Sequence, residues 1–306
     1  FRGRHEERIA LVQSFIGRVE TPVRRARFIY ELVDGNTALG KYESALQARK
    51  GQMRLLPPFT DPQDAVPVLN GAIALLSSLR AYDEALVYAE RIYAQGTTVV
   101  GFRAKCVGLA NKAEINFMRG ERALAQSHVL AAIRACDENK NQLISLIIKA
   151  YSAIDLIASE RHADGIAASL PLLNQFSKLS NNSDYVTQLE DAVARAYLKT
   201  GDNRRAEVYG LAAYQRAHAG KNLLLQEKAS ETMAAIKRAQ GQLANAIGYY
   251  EINLALKKKV LDDQLHKNLA YQRVKFDSQD KANQLALLEQ KNKNLSIEKA
   301  LQQNKY

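Results

Sequence analysis

"LKTGDNRRAEVYG", Leu198 to Gly210, sets a turn-forming Gly-Asp-Asn directly before a helical stretch in which Ala206 stands five residues after Gly201. The arrangement recurs. In "MRGERALAQ" Gly120 precedes Ala125 by the same distance, in "AQGQLANAI" Gly241 precedes Ala246, and in "ALGKYESAL" Gly40 precedes Ala45. Aligned on the turn position, the chain gives Gly40, Arg80, Gly120, Glu160, Gly201 and Gly241, at intervals of 40, 40, 40, 41 and 40 residues. Five residues after each come Ala45, Ala85, Ala125, Gly165, Ala206 and Ala246; seven before stand Val33, Ile73, Ala113, Ala153, Ala194 and Ala234. Small or modest side chains at matched distances from a turn let two antiparallel helices approach closely. The period therefore predicts a helical hairpin per repeat. In the opening stretch Gly201 ends one helix, Asp202 or Asn203 caps the next, and Ala206 packs back on Ala194.

Composition agrees with helices. The 306 residues are 47% hydrophobic with only six prolines and 16 glycines, Ala and Leu dominate, and alternating Val, Ile and Thr runs are missing. The expected class is all-α. No apolar run reaches the roughly 18 residues of a membrane span, and no leader with a cleavage site opens the chain. Because the first residue is Phe1, we expect a fragment, with any signal peptide or anchor outside it. The net charge of +11 raises nucleic acid or an acidic surface as partners. Arg2, Arg4, Arg8, Arg18, Arg24, Arg25 and Arg27 crowd one end and Lys257, Lys258 and Lys259 form the Lys triplet. Aromatic residues do not interleave with either group as they do in a base-stacking platform, which argues against nucleic acid.

Tyr42 and Tyr82 follow their turns by two residues, and Tyr250 is a large residue after the last one. Together with the small residues on both sides of each turn, this pattern resembles the tetratricopeptide repeat over about Thr21 to Lys258. The period is longer than the family's common 34 residues and approaches the HEAT and armadillo range, whose motifs fit less well. Glu160 and Gly165 in "SERHADGIAAS" depart from the pattern. The resemblance implies a right-handed superhelical solenoid of about six hairpins, residues 21–260, whose concave groove is lined by the first helix of each hairpin and takes peptide or protein. The segment 1–20, "HEERIALVQSFIGRVE" within it, is expected as a capping helix or partial repeat. In "LLPPFTDPQDAVP", Pro57, Pro58, Pro62 and Pro67 predict an extended surface connection.

From Tyr249 to Tyr306 there is neither Gly nor Pro, so nothing obvious stops a helix. Residues 261–276 predict a capping helix packed through Leu261, Leu265, Leu269 and Val274, with Asp262 or Asp263 as its cap. Residues 277–306 are polar. There Leu285, Leu288, Asn292 and Leu295 mark the seam of a short coiled coil, and hence self-association. "VKFD" at Val274 to Asp277 and "LALLEQKN", with Leu285, Leu287, Leu288 and Glu289, resemble the helix that follows tetratricopeptide arrays in bacterial membrane sensors. That resemblance implies a periplasmic sensor region, with a membrane span and a diguanylate cyclase (GGDEF) or histidine kinase output domain outside this chain. A cytoplasmic scaffold is the alternative.

Little points to catalysis. His5, His128, His162, His218 and His266 lie far apart without metal-site spacing, and no phosphate loop, nucleophile elbow or carboxylate pair occurs, so neither enzyme nor cofactor nor metal is expected. Cys106 lies 14 residues before Gly120 and Cys136 lies 16 after it, at similar heights on one hairpin. A bond needs Cα atoms about 4.4 to 6.8 Å apart, met only at a tight crossing, so two buried free thiols are expected. By register the groove residues are Tyr30, Asp34 and Thr37, then Asn70, Ser77 and Ser78. They continue with Asn111, Glu114, Phe117, Tyr151, Arg195, Lys199 and Arg238. Asn70 and Asn111 can each give and accept a backbone hydrogen bond, as an extended peptide requires. The basic run at Arg195, Lys199 and Arg238 suits an acidic group, although the recurring Lys and Asn set of the carboxylate-clamp subfamily is missing. The expected function is a non-catalytic sensor or interaction module. A soluble assembly scaffold and a nucleic-acid-binding regulator are the alternatives.

Overall fold

The computed structural model describes residues 2–55, 62–96, 102–138, 140–179 and 183–303. Among them the regular structure is entirely helical. The α-helices are α1 Arg2–Phe15, α2 Pro22–Ala38, α3 Tyr42–Arg54, α4 Pro62–Ser78, α5 Tyr82–Gln95, α6 Phe102–Arg119, α7 Arg122–Glu138, α8 Gln142–Ala158, α9 His162–Ser177, α10 Ser183–Lys199, α11 Asn203–Gly220, α12 Leu223–Ala239 and α13 Leu243–Gln303. A single 3₁₀ turn, Ile16–Arg18, follows α1.

The aligned turn residues share one backbone conformation. Gly40, Gly120, Gly201 and Gly241 have φ between 72° and 85°, and Arg80 and Glu160 reach the same left-handed region at 57° and 63°. At each, the next residue's N–H donates to the carbonyl five residues back: Lys41 to Asn36, Ala81 to Leu76, Glu121 to Asn116, Arg161 to Leu156, Asp202 to Tyr197 and Gln242 to Lys237, all at 2.8–3.0 Å. This is the Schellman closure, which satisfies carbonyls that the helix end leaves open. Asp202 is the N-cap of α11, accepting from Arg205 N at 2.9 Å. The alanines on both sides of these turns, with Val33 and Ile73, are at most 3% exposed. Ala194 and Ala206 share one core cluster with Met233 and Ile236. Gly165 breaks the alanine pattern for a steric reason: a Cβ there would stand 2.3 Å from Ile157 Cγ1 and 3.2 Å from the Ala153 carbonyl.

The chain divides into two compact units, residues 57–264 and residues 1–56 with 265–306. In the first, each helix from α4 to α12 packs on the next, and α4 also touches α6, α6 touches α8, α8 touches α10 and α10 touches α12. Cys106 of α6 and Cys136 of α7 are joined in a disulfide with Cα atoms 4.8 Å apart, in place of the expected free thiols. The crossing is tight because Ala110, Ala113, Ala132 and Ala135 pack around the bond. The proline-rich connection is also shorter than expected. Pro62 opens α4, where its missing N–H costs nothing, and Pro67 lies inside that helix; Pro57 and Pro58 lie outside the described residues.

In the second unit α1 packs on α2 and α2 on α3. Phe15 meets Phe28 edge-to-face at 4.9 Å, Arg8 pairs with Glu31 at 2.9 Å and with Asp34, and buried Gln52 donates to the Ala26 carbonyl. The second part of α13 meets α3 through polar groups: Lys50 donates to Ser278, Lys267 stands 5.3 Å from the Tyr42 ring centroid, and Arg273 reaches Glu43 at 4.0 Å. No separate helix begins at Asp262 or Asp263. α13 starts at Leu243, after the left-handed Gly241, and with neither Gly nor Pro beyond Tyr249 it continues to Gln303. Its half-covered stripe is Lys267, Ala270, Tyr271, Val274 and Ser278, spaced at helical intervals. Leu261, Leu265 and Leu269, expected to pack, are 48–63% exposed.

Candidate functional site

The alternate contacts of α4, α6, α8 and α10 bring side chains of four helices onto one surface. Asn70 of α4 and Asn111 of α6 meet directly, Asn111 Nδ2 donating to Asn70 Oδ1 at 2.8 Å and also to the Val107 carbonyl at 2.9 Å. The pairing leaves Asn70 Nδ2 as a donor and Asn111 Oδ1 as an acceptor, neither engaged by another described residue. One turn along α6, Glu114 accepts a hydrogen bond from the Tyr151 hydroxyl of α8 at 2.7 Å. Phe117 stacks on Tyr151 with centroids 6.2 Å apart and planes 17° from parallel. On the far side Tyr185 of α10 meets Tyr151 edge-on at 6.0 Å. Glu114, Phe117, Tyr151 and Tyr185 are all half-buried, and Asp184 next to Tyr185 is exposed. Asp184 accepts from Asn222 Nδ2 at 3.0 Å.

The electrostatics of this cluster are one-sided. Burial raises the Glu114 pKa, and the hydrogen bond from Tyr151 opposes the rise only in part. Burial also pushes the Tyr151 hydroxyl well above its ordinary range, helped by the nearby Glu114 charge. Tyr185 is raised by burial, then by Glu114 and Asp184. None of the ion pairs among the described residues involves Glu114.

The other expected residues are placed differently. Arg195 is held by Asp191 at 3.0 Å, and Asp191 also accepts from Thr232 of α12 at 2.6 Å. Lys199 and Arg238 are exposed in the last turns of α10 and α12. Ser77 is half-buried near the end of α4, and Ser78 donates to the Leu75 carbonyl. Tyr30, Asp34 and Thr37 belong to the unit containing residues 1–56. There Tyr30 lies 5.9 Å from the Arg49 guanidinium, Asp34 pairs with Arg8, and Thr37 donates to the Val33 carbonyl. Sequence reasoning missed Tyr185. It sits at the start of α10, 16 residues before Gly201, farther from its turn than the other groove residues. A helix-start aromatic beside an acid was the available signal.

On the other side of α6, a depression of about 530 Å³ is bounded by Asp83, Glu90, Lys112, Arg119 and His128. Its charges satisfy one another, Lys112 with Glu90 at 2.6 Å and Arg119 with Asp83 at 2.8 Å. Among the described residues no group of three His, Cys, Asp or Glu side chains could hold a metal ion, and no helix is long and apolar enough to cross a membrane. No protein-family model and no curated protein matches the chain.

Proposed function

We propose that the chain is a non-catalytic sensory or interaction module, a tetratricopeptide-like right-handed solenoid that binds a peptide or protein ligand on the surface of α4, α6, α8 and α10. The observation that carries this reading is the meeting of Asn70, Asn111, Glu114, Phe117 and Tyr151 from three alternate helices. The donor on Asn70 and the acceptor on Asn111 match the N–H and C=O that an extended backbone presents. Alternate-helix contacts and the shared turn closure support the solenoid. The disulfide supports an oxidising compartment such as the periplasm.

Ligand binding then biases α13, and through it a diguanylate cyclase or histidine kinase domain beyond a membrane span. Only a difference in ligand affinity between two states of the array can drive that output. The leucine stripe Leu285, Leu288 and Leu295, exposed around exposed Asn292, supports pairing with a second copy. The test is a random-peptide array probed with the wild-type chain and with Asn111→Ala/Tyr151→Ala. We expect discrete captured peptides whose binding falls at least about tenfold in the double variant, with helicity by circular dichroism unchanged. Undiminished capture would remove the groove assignment and leave the reading as an assembly scaffold.

A further inference from the structure

Glu114 is the acidic groove residue among the described ones, and the fold leaves its charge unbalanced. Its side chain is half-buried, one carboxylate oxygen accepts from Tyr151, and the other has no donor among the described residues. The chain carries 43 lysines and arginines, yet among the described residues none is paired with this carboxylate. Acidic groups close by are instead of like sign, since Asp184 and Glu114 both act on Tyr185. A partly desolvated carboxylate without a counter-ion is less favourable than one in water and is relieved by a positive group that enters.

The walls specify what kind of positive group fits. Phe117 and Tyr151 are stacked and Tyr185 stands edge-on to Tyr151, so three rings border the acid while keeping part of their surface open. Ring faces carry negative potential and attract an ammonium or guanidinium, more strongly as water is excluded. Hard metal ions need several oxygen ligands at short range, and a single carboxylate flanked by rings does not provide them. We infer that Glu114, Phe117, Tyr151 and Tyr185 form a recognition site for an organic cation, the lysine or arginine side chain of the peptide ligand. The inference rests on the proposed peptide-binding function and specifies the residue that anchors the ligand.

The site is tested by ring-carbon NMR of the protein's tyrosines. The probes are Nα-acetyl-arginine amide and its neutral counterpart, Nα-acetyl-citrulline amide. We expect saturable shifts of the Tyr151 and Tyr185 resonances with the arginine compound, at least about tenfold weaker binding of the citrulline compound, and an equal loss in Glu114→Gln. Equal response to both compounds, no response to either, or undiminished binding by Glu114→Gln would overturn the proposal. The peptide array separates the two readings. Peptides captured through Asn111 and Tyr151 without enrichment in Lys or Arg leave the groove standing and remove the cation site. Arginine-specific shifts with no captured peptide remove the peptide groove and leave the cation site.

Discussion

Glu114 has opposite consequences for ligand binding and for stability. Its folded-state pKa lies above the ordinary 4.5 because burial penalises the charge, so the folded chain holds a proton that the unfolded chain has released between those two values. Stability from this group is therefore full below the unfolded value and lost as pH rises through the raised one. Glutamine keeps the acceptor for the Tyr151 hydroxyl and removes the charge. Glu114→Gln is expected to be at least as stable as wild type at pH 7, by up to about 1 to 3 kcal/mol, with the difference shrinking in urea titrations at lower pH. Another residue-scale prediction concerns Glu160, whose left-handed φ of 63° disfavours a side chain. Glu160→Gly should raise stability by about 1 kcal/mol, read as a higher urea midpoint with unchanged slope. Of the four left-handed non-glycine positions, Arg80, Lys140, Glu160 and Lys221, Arg80 and Glu160 were legible only from the period. Neither Arg80 nor Glu160 has a residue type that announces a turn, but each stands where four other repeats place glycine.

Among the elements, the helices and their partners were the most legible part, because the small residues seven before and five after each turn are the ones that the crossings bury. Gly165 is the extreme case, where Ile157 leaves no room even for a methyl group. The disulfide was not legible, since equal heights on a hairpin do not fix the 4.8 Å Cα separation; the surrounding alanines do. Cys106 and Cys136 lie 30 residues apart in sequence, and closing a loop of that size is worth about 3 to 4 kcal/mol. Cys106→Ala/Cys136→Ala should lose roughly that amount, seen as a lower thermal midpoint that reductant no longer changes. The acid and aromatic residues of the candidate site were legible where a known turn fixed their register, as for Glu114 and Tyr151. Tyr185 lay too far from its turn for the same reasoning to reach.

For the whole molecule, sequence patterning gives the helical class but misplaces the role of the C-terminal segment. Leucines at four-residue intervals, Leu261, Leu265 and Leu269, suggested packing along 261–276, whereas the contacts with α3 are made by Lys267, Arg273 and Ser278, whose partners Tyr42, Glu43 and Lys50 lie more than 220 positions away in the chain. Local periodicity carries no information about such a partner. The exposed Leu285, Leu288 and Leu295 lead to a prediction about assembly. A chain ending after Asp280 keeps the contact at Ser278 and loses the stripe. We expect light scattering to give twice the monomer mass for the full chain and the monomer mass for the shortened one. A monomer in both cases would remove self-association through this helix.

The unbroken course of α13 also has a geometric consequence. At 1.5 Å per residue its 61 residues form a rod about 90 Å long. Over that length every N–H past the first turn can meet a carbonyl four residues back, since no proline removes a donor and no glycine loosens the backbone beyond Tyr249.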